Sequence, residues 1–391
     1  MKRLLFCLSI LVFLSACKKG GSSSSGSETG ATIFGVSQNR LTTPVNFRFN
    51  VYLDEAPGQE VSIDYATENG TAEAGKDFIA KTGTLTIAAG QKSGFIDIEV
   101  KGDSLRGPEK LFYVKLSNPK NCTIKAGRGT GAIVDANGLY FPVDNAGYST
   151  PNTYPGYNLL WSDEFSGRAV NINDWTFETG NNGGWGNNEL QNYTGRPENV
   201  FVSNGNLIIE ARAENFGAQN YTSTRMITKN KKIFKFGRVD ISAKVPKGKG
   251  VWPALWMLGN NIDAVSWPRC GEMDIMELLG QEPNKVYGTV HWATSGGSAT
   301  NRGSNYILPS GSFDQEFHVY SLIWVQDSIK ILVDDKQYFQ ISKTDIGATY
   351  PYNADFFFIF NIAVGGNWPG SPDGTTVFPQ RMVVDYIRVF Q

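Results

Sequence analysis

The sequence predicts an all-β protein of two domains, and three observations carry that expectation. Short runs of alternating apolar and polar residues recur along most of the chain, separated by Gly, Pro, Asn and Asp. Aromatics make up 13% of the residues and glycines number 43, a composition suited to twisted sheets, tight turns and flat apolar ligands such as sugar rings. No stretch keeps the period of a long amphipathic helix. At 391 residues the chain also exceeds one ordinary core, so two folded units are expected. Charge is nearly balanced, with 36 basic and 37 acidic residues, which gives no support for nucleic acid or a strongly sulfated polymer as the main partner.

The N-terminus comes first. In "MKRLLFCLSILVFLSAC", Lys2 and Arg3 precede an apolar run too short to span a bilayer as a mature helix. The run ends in Leu14-Ser15-Ala16-Cys17, which resembles a bacterial lipobox. The resemblance implies that residues 1–17 are a lipoprotein signal and that Cys17 takes the lipid. The expected location is then the bacterial cell envelope, at its periplasmic or surface face; the plainer alternative is a secretory signal with an incidental Cys. Residues 18–30, "KKGGSSSSGSETG", read as a flexible Gly/Ser tether. With Cys7 and Cys17 assigned there, Cys122 and Cys270 remain in separate units, so no disulfide is expected. Two histidines and no Cys/His ligand spacing argue against a metallohydrolase.

Residues 31–136 carry short strands such as "NFRFNVYL", "VSIDYAT", "SGFIDIEV" and "LFYVKLSN" at the spacing of a β-sandwich of immunoglobulin-like type. The stretch "GTAEAGKDF" followed by "TGTLTIAAGQ" resembles a Calx-β domain over the length of this segment. Some such domains bind calcium through clustered acids. Here Glu73, Asp77, Asp103 and Asp135 are scattered rather than doubled, so the segment reads as a spacer or adhesion module. Residues 137–156, rich in Gly, Pro, Asn and Ser, read as a linker.

From 157 to 391 lies a second β-rich unit, with strand candidates "NLIIEARA", "FGRVDISAKV", "VWPALWML", "EMDIMELL", "KVYGTVHWAT", "VYSLIWV", "SIKILVDD", "FFFIFNIAV" and "RMVVDYIRVF". Its chemistry concentrates in "GEMDIMELLG". On a regular strand Glu272 and Asp274 share a face while Glu277 points the opposite way, into an apolar layer where an unpaired charge is costly. One extra residue, Ile275 or Met276, forms a β-bulge that restores the parity and brings all three carboxylates to one face. The two glutamates then stand about 13 Å apart at Cα, and side chains leaning over Asp274 close the carboxyl gap to roughly 5 to 6 Å, the separation of a retaining glycosidase. A calcium loop would place Gly or Asn between the acids, not Met and Ile.

The motif in "WPRCGEMDIMELLG", with "LLWSDEFSG", "GGWGNNELQNYT", "FGRVDISAKVPKGKGVWPALWMLG", "FNIAVGGNWPG" and "MVVDYIRVF" in order around it, resembles glycoside hydrolase family 16, and within it the laminarinases. The resemblance implies a concanavalin-like β-jelly roll with a catalytic cleft on its concave sheet. It makes Glu272 the nucleophile, Asp274 its assistant and Glu277 the acid/base of an endo-β-1,3-glucanase that needs no cofactor for catalysis. It also puts Asn188 near the reacting sugar and a structural calcium at Glu164, Gly205 and Asp385. The bulged spacing speaks against the unbulged mixed-linkage branch, and the lack of a Lys/Arg cluster speaks against agarase or carrageenase activity. All three acids are present, which speaks against a non-catalytic glucan-binding protein.

The residues themselves furnish part of the cleft. Trp252 and Trp256 lie four apart and share a strand face, where indole rings can stack on pyranose rings. Trp185, in a Gly- and Asn-rich loop, is expected to be exposed, with Asn187 and Glu189 beside it offering hydrogen bonds. Arg225 can orient a cleft carboxylate or hydroxyl, or form a plain surface pair. His291, on the strand after the motif, either tunes Glu277 or is a satisfied core histidine; Trp292 should face the other layer. His318 reads as structural and Cys270 as a buried packer. The expected partners are a β-glucan and, through Cys17, a membrane; the chain is expected to act as a monomer.

Overall fold

The computed structural model describes residues 29–103, 107–135 and 140–391, so the calls on the signal, the tether and Cys17 lie outside the described residues. The chain divides into two compact units. The smaller holds the described residues up to Val36 together with Asn46–Ile98 and Leu111–Gly131; the larger holds Ala132–Gln391 together with Ser37–Val45 and Glu99–Lys110.

Strands between residues 30 and 135 form a four-stranded and a five-stranded sheet. Strict alternation along Val45–Leu53 explains how they pack. Phe47, Phe49, Val51 and Leu53 are buried, while Asn46, Arg48, Asn50 and Tyr52 face outward. Phe112 meets Phe47, Phe49 and Phe78 in the interior, stacking on Phe78 at 4.6 Å. The acids of this region are not gathered. Asp77 accepts from the Glu73 main-chain N–H at 3.0 Å, and Asp103 accepts from Arg40 at 3.0 Å.

The larger unit is a jelly-roll sandwich of a seven-stranded and a ten-stranded sheet. The seven strands are β1 (Thr176–Glu178), β2 (Arg225–Ile227), β3 (Val251–Gly259), β4 (Glu272–Leu278), β5 (Lys285–Ala293), β6 (Ala299–Ile307) and β7 (Phe356–Val364), in spatial order β1-β2-β7-β3-β4-β5-β6. The facing sheet is built around Asn206–Phe216, Gln380–Phe390, Gly237–Lys244 and His318–Val325. Leu255, Met257, Met273 and Phe358 from one sheet meet Val239, Ile241, Leu322 and Ile331 from the other in one fully buried layer. Each such apolar side chain contributes roughly 1.5–3 kcal/mol by leaving water. The two helices among the described residues are four-residue turns. All nine expected strands of this unit form. The polar edge strand β6 and the short β1 and β2 carry no readable alternation and went unforeseen.

The stretch read as a linker is, from residue 140 on, laid along the ten-stranded sheet. The Phe141 N–H donates to Ser203 Oγ at 2.9 Å, Tyr148 Oη to Asp335 at 2.7 Å and Tyr154 Oη to Asp240 at 2.6 Å. Its Gly, Pro and Asn prevent regular structure but leave its aromatics free to anchor.

Candidate active site

The catalytic strand bends where parity demands it. Along β4 and β5, Glu272 pairs with His291, Asp274 with Thr289 and Glu277 with Tyr287, so β4 advances three residues while β5 advances two. Against β3, Trp256 pairs with Asp274 and Leu255 with Met276, leaving Ile275 as the inserted residue. Met273, Ile275, Met276 and Leu278 are all fully buried beneath the floor. Two consecutive inward side chains, Ile275 and Met276, are what let Glu277 emerge on the same face as Glu272 and Asp274. Gly271 admits the chain to this strand. Its φ is +80°, and a Cβ there would stand 2.7 Å from Pro351 Cγ.

Burial raises all three carboxylates, and Glu272 and Glu277 are raised further by their acidic neighbours. Burial pushes the Glu272 carboxyl up to about 8, with the Asp274 charge adding to it; His291, the Trp267 N–H and Arg225 pull the other way. Glu277 is held well above the ordinary carboxylate range by burial and by both neighbouring acids, against His291 and the Trp252 N–H. Burial alone lifts Asp274 well above its ordinary value. Trp267 Nε1 donates to Glu272 Oε2 at 2.9 Å and Trp252 Nε1 to Glu277 Oε1 at 3.0 Å, so each glutamate has its own indole donor.

His291 lies on the cleft face, but not beside Glu277 in the register. Cross-strand pairing sets it opposite Glu272, with Nε2 3.2 Å from Asp274 Oδ2 and 3.8 Å from Glu272 Oε1. The contact with Asp274 is ionic when the imidazole is protonated, and Oδ2 itself receives no hydrogen bond. Glu272, Asp274 and His291 form the only such group of three potential metal ligands among the described residues, so Glu73, Asp77 and Asp103 do not gather into one.

Around the acids the structure opens a cleft of about 780 Å³ lined by Trp185, Arg225, Trp252, Trp256, Asn361 and Trp368 among others. Trp185 is half-buried rather than exposed. Its Nε1 donates to Gly180 O at 3.2 Å, and its ring meets Tyr193 edge-on at 5.3 Å. Arg225 is more than a surface pair: it bonds Glu178 through Nε, and its guanidinium lies 4.8 Å from both the Trp185 and Trp256 rings. Asn188 corrects the expectation, because it does not line the cleft. Its φ of +58° turns the side chain out to donate to Asn367 Oδ1 at 2.8 Å, and Asn187 takes the lining position.

The remaining candidates fall where packing sends them. Cys270 is buried, but on the cleft side of the sheet rather than under its floor, in a cluster with Leu258, Phe357 and Ile359 against which Trp256 packs, and Trp292 packs against the core between the sheets. His318 Nδ1 is 2.8 Å from Asp334. Far from the cleft, both Glu164 oxygens accept from Arg388 at 2.8 Å, and Asp385 nearby is raised by burial and by the Glu164 charge. Gly205 sits in the turn between Val200–Ser203 and Asn206–Phe216.

Sequence reading missed Trp267, Trp368 and Asn361. Trp267 and Trp368 are 47% and 41% exposed, high for indoles, yet both face the acids' cleft. A signal was present. Trp-Pro occurs three times, at Trp252-Pro253, Trp267-Pro268 and Trp368-Pro369, and all three indoles line the cleft. Trp368 meets Trp252 at 5.5 Å and Tyr287 at 4.9 Å, both edge-on, extending the aromatic wall past Glu277.

Residues 187–388 match the family model "Glycosyl hydrolases family 16", and residues 31–137 match the Calx-beta domain model. The chain is 41% identical over 249 residues to the "Beta-glucanase" of Rhodothermus marinus, covering 61% of this chain and 86% of that protein. It is 39% identical over 270 residues to the "Glucan endo-1,3-beta-glucosidase A1" of Niallia circulans, covering 63% of this chain but only 39% of that longer protein. Among solved structures, the catalytic domain of an endo-1,3-beta-glucanase (laminarinase) from Thermotoga petrophila RKU-1 superposes with a TM-score of 0.57 at 47% identity, covering 60% of this chain and 98% of that one.

Proposed function

The chain belongs to glycosyl hydrolase family 16, and from that premise we propose that it hydrolyses internal β-1,3-glucosidic bonds of laminarin-type glucans with retention of configuration. The observation that carries the reading is the bulge, which sets Glu272, Asp274 and Glu277 on one face of a cleft walled by indoles. The relatives of known name point to the same substrate class.

In this mechanism Glu272 attacks the anomeric carbon while Glu277 gives its proton to the departing glycosidic oxygen. The environments divide the roles. Glu277 is raised by burial and by the charges of both neighbouring acids and so carries the proton, whereas Glu272 has the imidazole, the indole donor and Arg225 on its side to favour the anion. Asp274, raised by burial, stands between the two glutamates and restrains the charge there. Water then attacks the glycosyl-enzyme ester with Glu277 as base, restoring both carboxyls.

A neutral glucan fits the lining. Arg225 and His291 stand against Glu189, Glu272, Asp274 and Glu277, so no basic surface awaits sulfate. The catalytic set uses no cofactor. A calcium ion held by Glu164, Asp385 and the Gly205 main chain would have the hard oxygen ligands it prefers but would have to draw Glu164 from Arg388, and its charge would offset the burial and the Glu164 charge that raise Asp385; that role is structural. The same reading anchors a monomer to the cell envelope through a lipid on Cys17.

The test is product analysis after incubation with laminarin, lichenan and agarose side by side. Laminari-oligosaccharides of several lengths from laminarin are expected early; release of reducing ends from agarose alone would sink the reading.

A further inference from the structure

A line of hydrogen bonds runs from the cleft floor to a buried carboxylate that the proposed mechanism does not use. Trp256 Nε1 donates to Asn361 Oδ1 at 2.7 Å, and Asn361 Nδ2 donates to the Tyr193 hydroxyl oxygen at 3.0 Å. Tyr193 in turn donates to Glu189 Oε2 at 3.2 Å. Gln191 Nε2 reaches the same oxygen at 2.7 Å, while its own Oε1 is fixed by the Val364 N–H at 2.7 Å. Glu189, Gln191, Tyr193 and Asn361 are all buried.

The direction of this chain is set at its far end. An ionised carboxylate only accepts, so it compels Tyr193 to donate toward it. The Tyr193 oxygen then faces Asn361 as an acceptor and draws the amide nitrogen, which leaves Oδ1 for the indole. Without that terminus the Tyr193 hydroxyl is free to donate toward Asn361 and compete for Oδ1 with the Trp256 N–H, which then holds the amide alone. The orientation matters because Trp256 pairs across β3 and β4 with Asp274, beside the reacting carboxylates, and Arg225 packs on its ring.

We propose that Glu189 is a positioning residue: acting through Tyr193 and Asn361, it fixes the plane of the Trp256 indole on which the sugar at the cleavage point stacks. Glu189 lines the cleft, yet its bonded oxygen is committed to this chain rather than to a sugar hydroxyl. The inference rests on the glucanase reading of the same cleft.

A stacking platform serves substrate and transition state alike, so its loss shows in KM rather than kcat. Tyr193→Phe and Glu189→Ala are each expected to raise KM for the cleaved glucan about tenfold, the scale of one lost buried hydrogen bond, with kcat little changed. The double variant should be no worse than either single, since both cut one line. Glu189→Gln, whose amide oxygen still accepts, should restore near-normal KM. Should Glu189→Ala not fold, Asn361→Ala replaces it in the cycle with the same expectation.

Additive effects in the double variant, or an unchanged KM in Tyr193→Phe, would overturn the proposal. So would a KM in Glu189→Gln as poor as in Glu189→Ala, which would give Glu189 a direct charge contact with sugar. Wild-type turnover of laminarin is measured first. If another glycan is cleaved instead, the function reading fails and the cycle is run on that glycan, so the two failures are told apart.

Discussion

His291 holds its Nε2 3.2 Å from Asp274 Oδ2 and 3.8 Å from Glu272 Oε1, directly across the strand pair from the proposed nucleophile. Its charge opposes burial and Asp274, which together raise Glu272. In His291→Ala the Glu272 carboxyl moves further above about 8. Because the nucleophile must be ionised, the acid limb of the kcat/KM–pH profile should move up by about one pH unit. A profile that does not move would remove His291 from the electrostatics of the site.

Trp267 supplies the one indole N–H that reaches Glu272. Trp267→Phe keeps an aromatic surface and deletes the donor. Hydrogen bonds to charged groups contribute about 1.5–3 kcal/mol, so kcat/KM on laminarin should fall roughly tenfold or more. If Trp267→Phe matches wild type while Trp267→Ala is impaired, the ring matters and the hydrogen bond does not.

The bulge itself can be removed. Deleting Ile275 leaves Glu-Met-Asp-Met-Glu, in which ordinary alternation puts all three carboxylates on one face. The account expects the deletion variant to fold, to lose about 2–4 kcal/mol because a fully buried side chain is gone, and to keep measurable hydrolysis. A variant with native circular dichroism and no activity at all would mean that the inserted residue does more than restore parity.

Raised carboxyls make the site a source of instability at high pH. The folded protein holds Glu272 at about 8, above its value in the unfolded chain, so the stability of the neutral form is complete in acid and is lost as pH rises toward and through about 8. Glu272→Gln removes that titration. Between pH 6 and 9 its Tm should fall less steeply than that of wild type; parallel curves would show that Glu272 is not raised.

Much of this was legible in the residues, for physical reasons that can be named. The uneven spacing of Glu272, Asp274 and Glu277 conflicts with strand parity, and a bulge is the least costly resolution; the register contains it at Ile275. Trp252 and Trp256 were readable because four residues return to one strand face. The position of His291 was not, since it depends on which residue of β5 stands opposite Glu272, a register fixed by pairing between strands. Asn188 went astray for a local reason: positive φ values at Trp185 and Asn188 reverse the loop, so the order of side chains there does not follow strand or helix spacing. Trp267 and Trp368 sit in loops without periodicity, where only the repeated Trp-Pro hinted at a shared role.

The central claim is that the bulged strand presents a nucleophile and an acid/base on one face for double displacement. Proton NMR of the first products from laminarin tests it most directly. The account predicts that new reducing ends appear first as the β-anomer and only later equilibrate. Initial release of the α-anomer would contradict it.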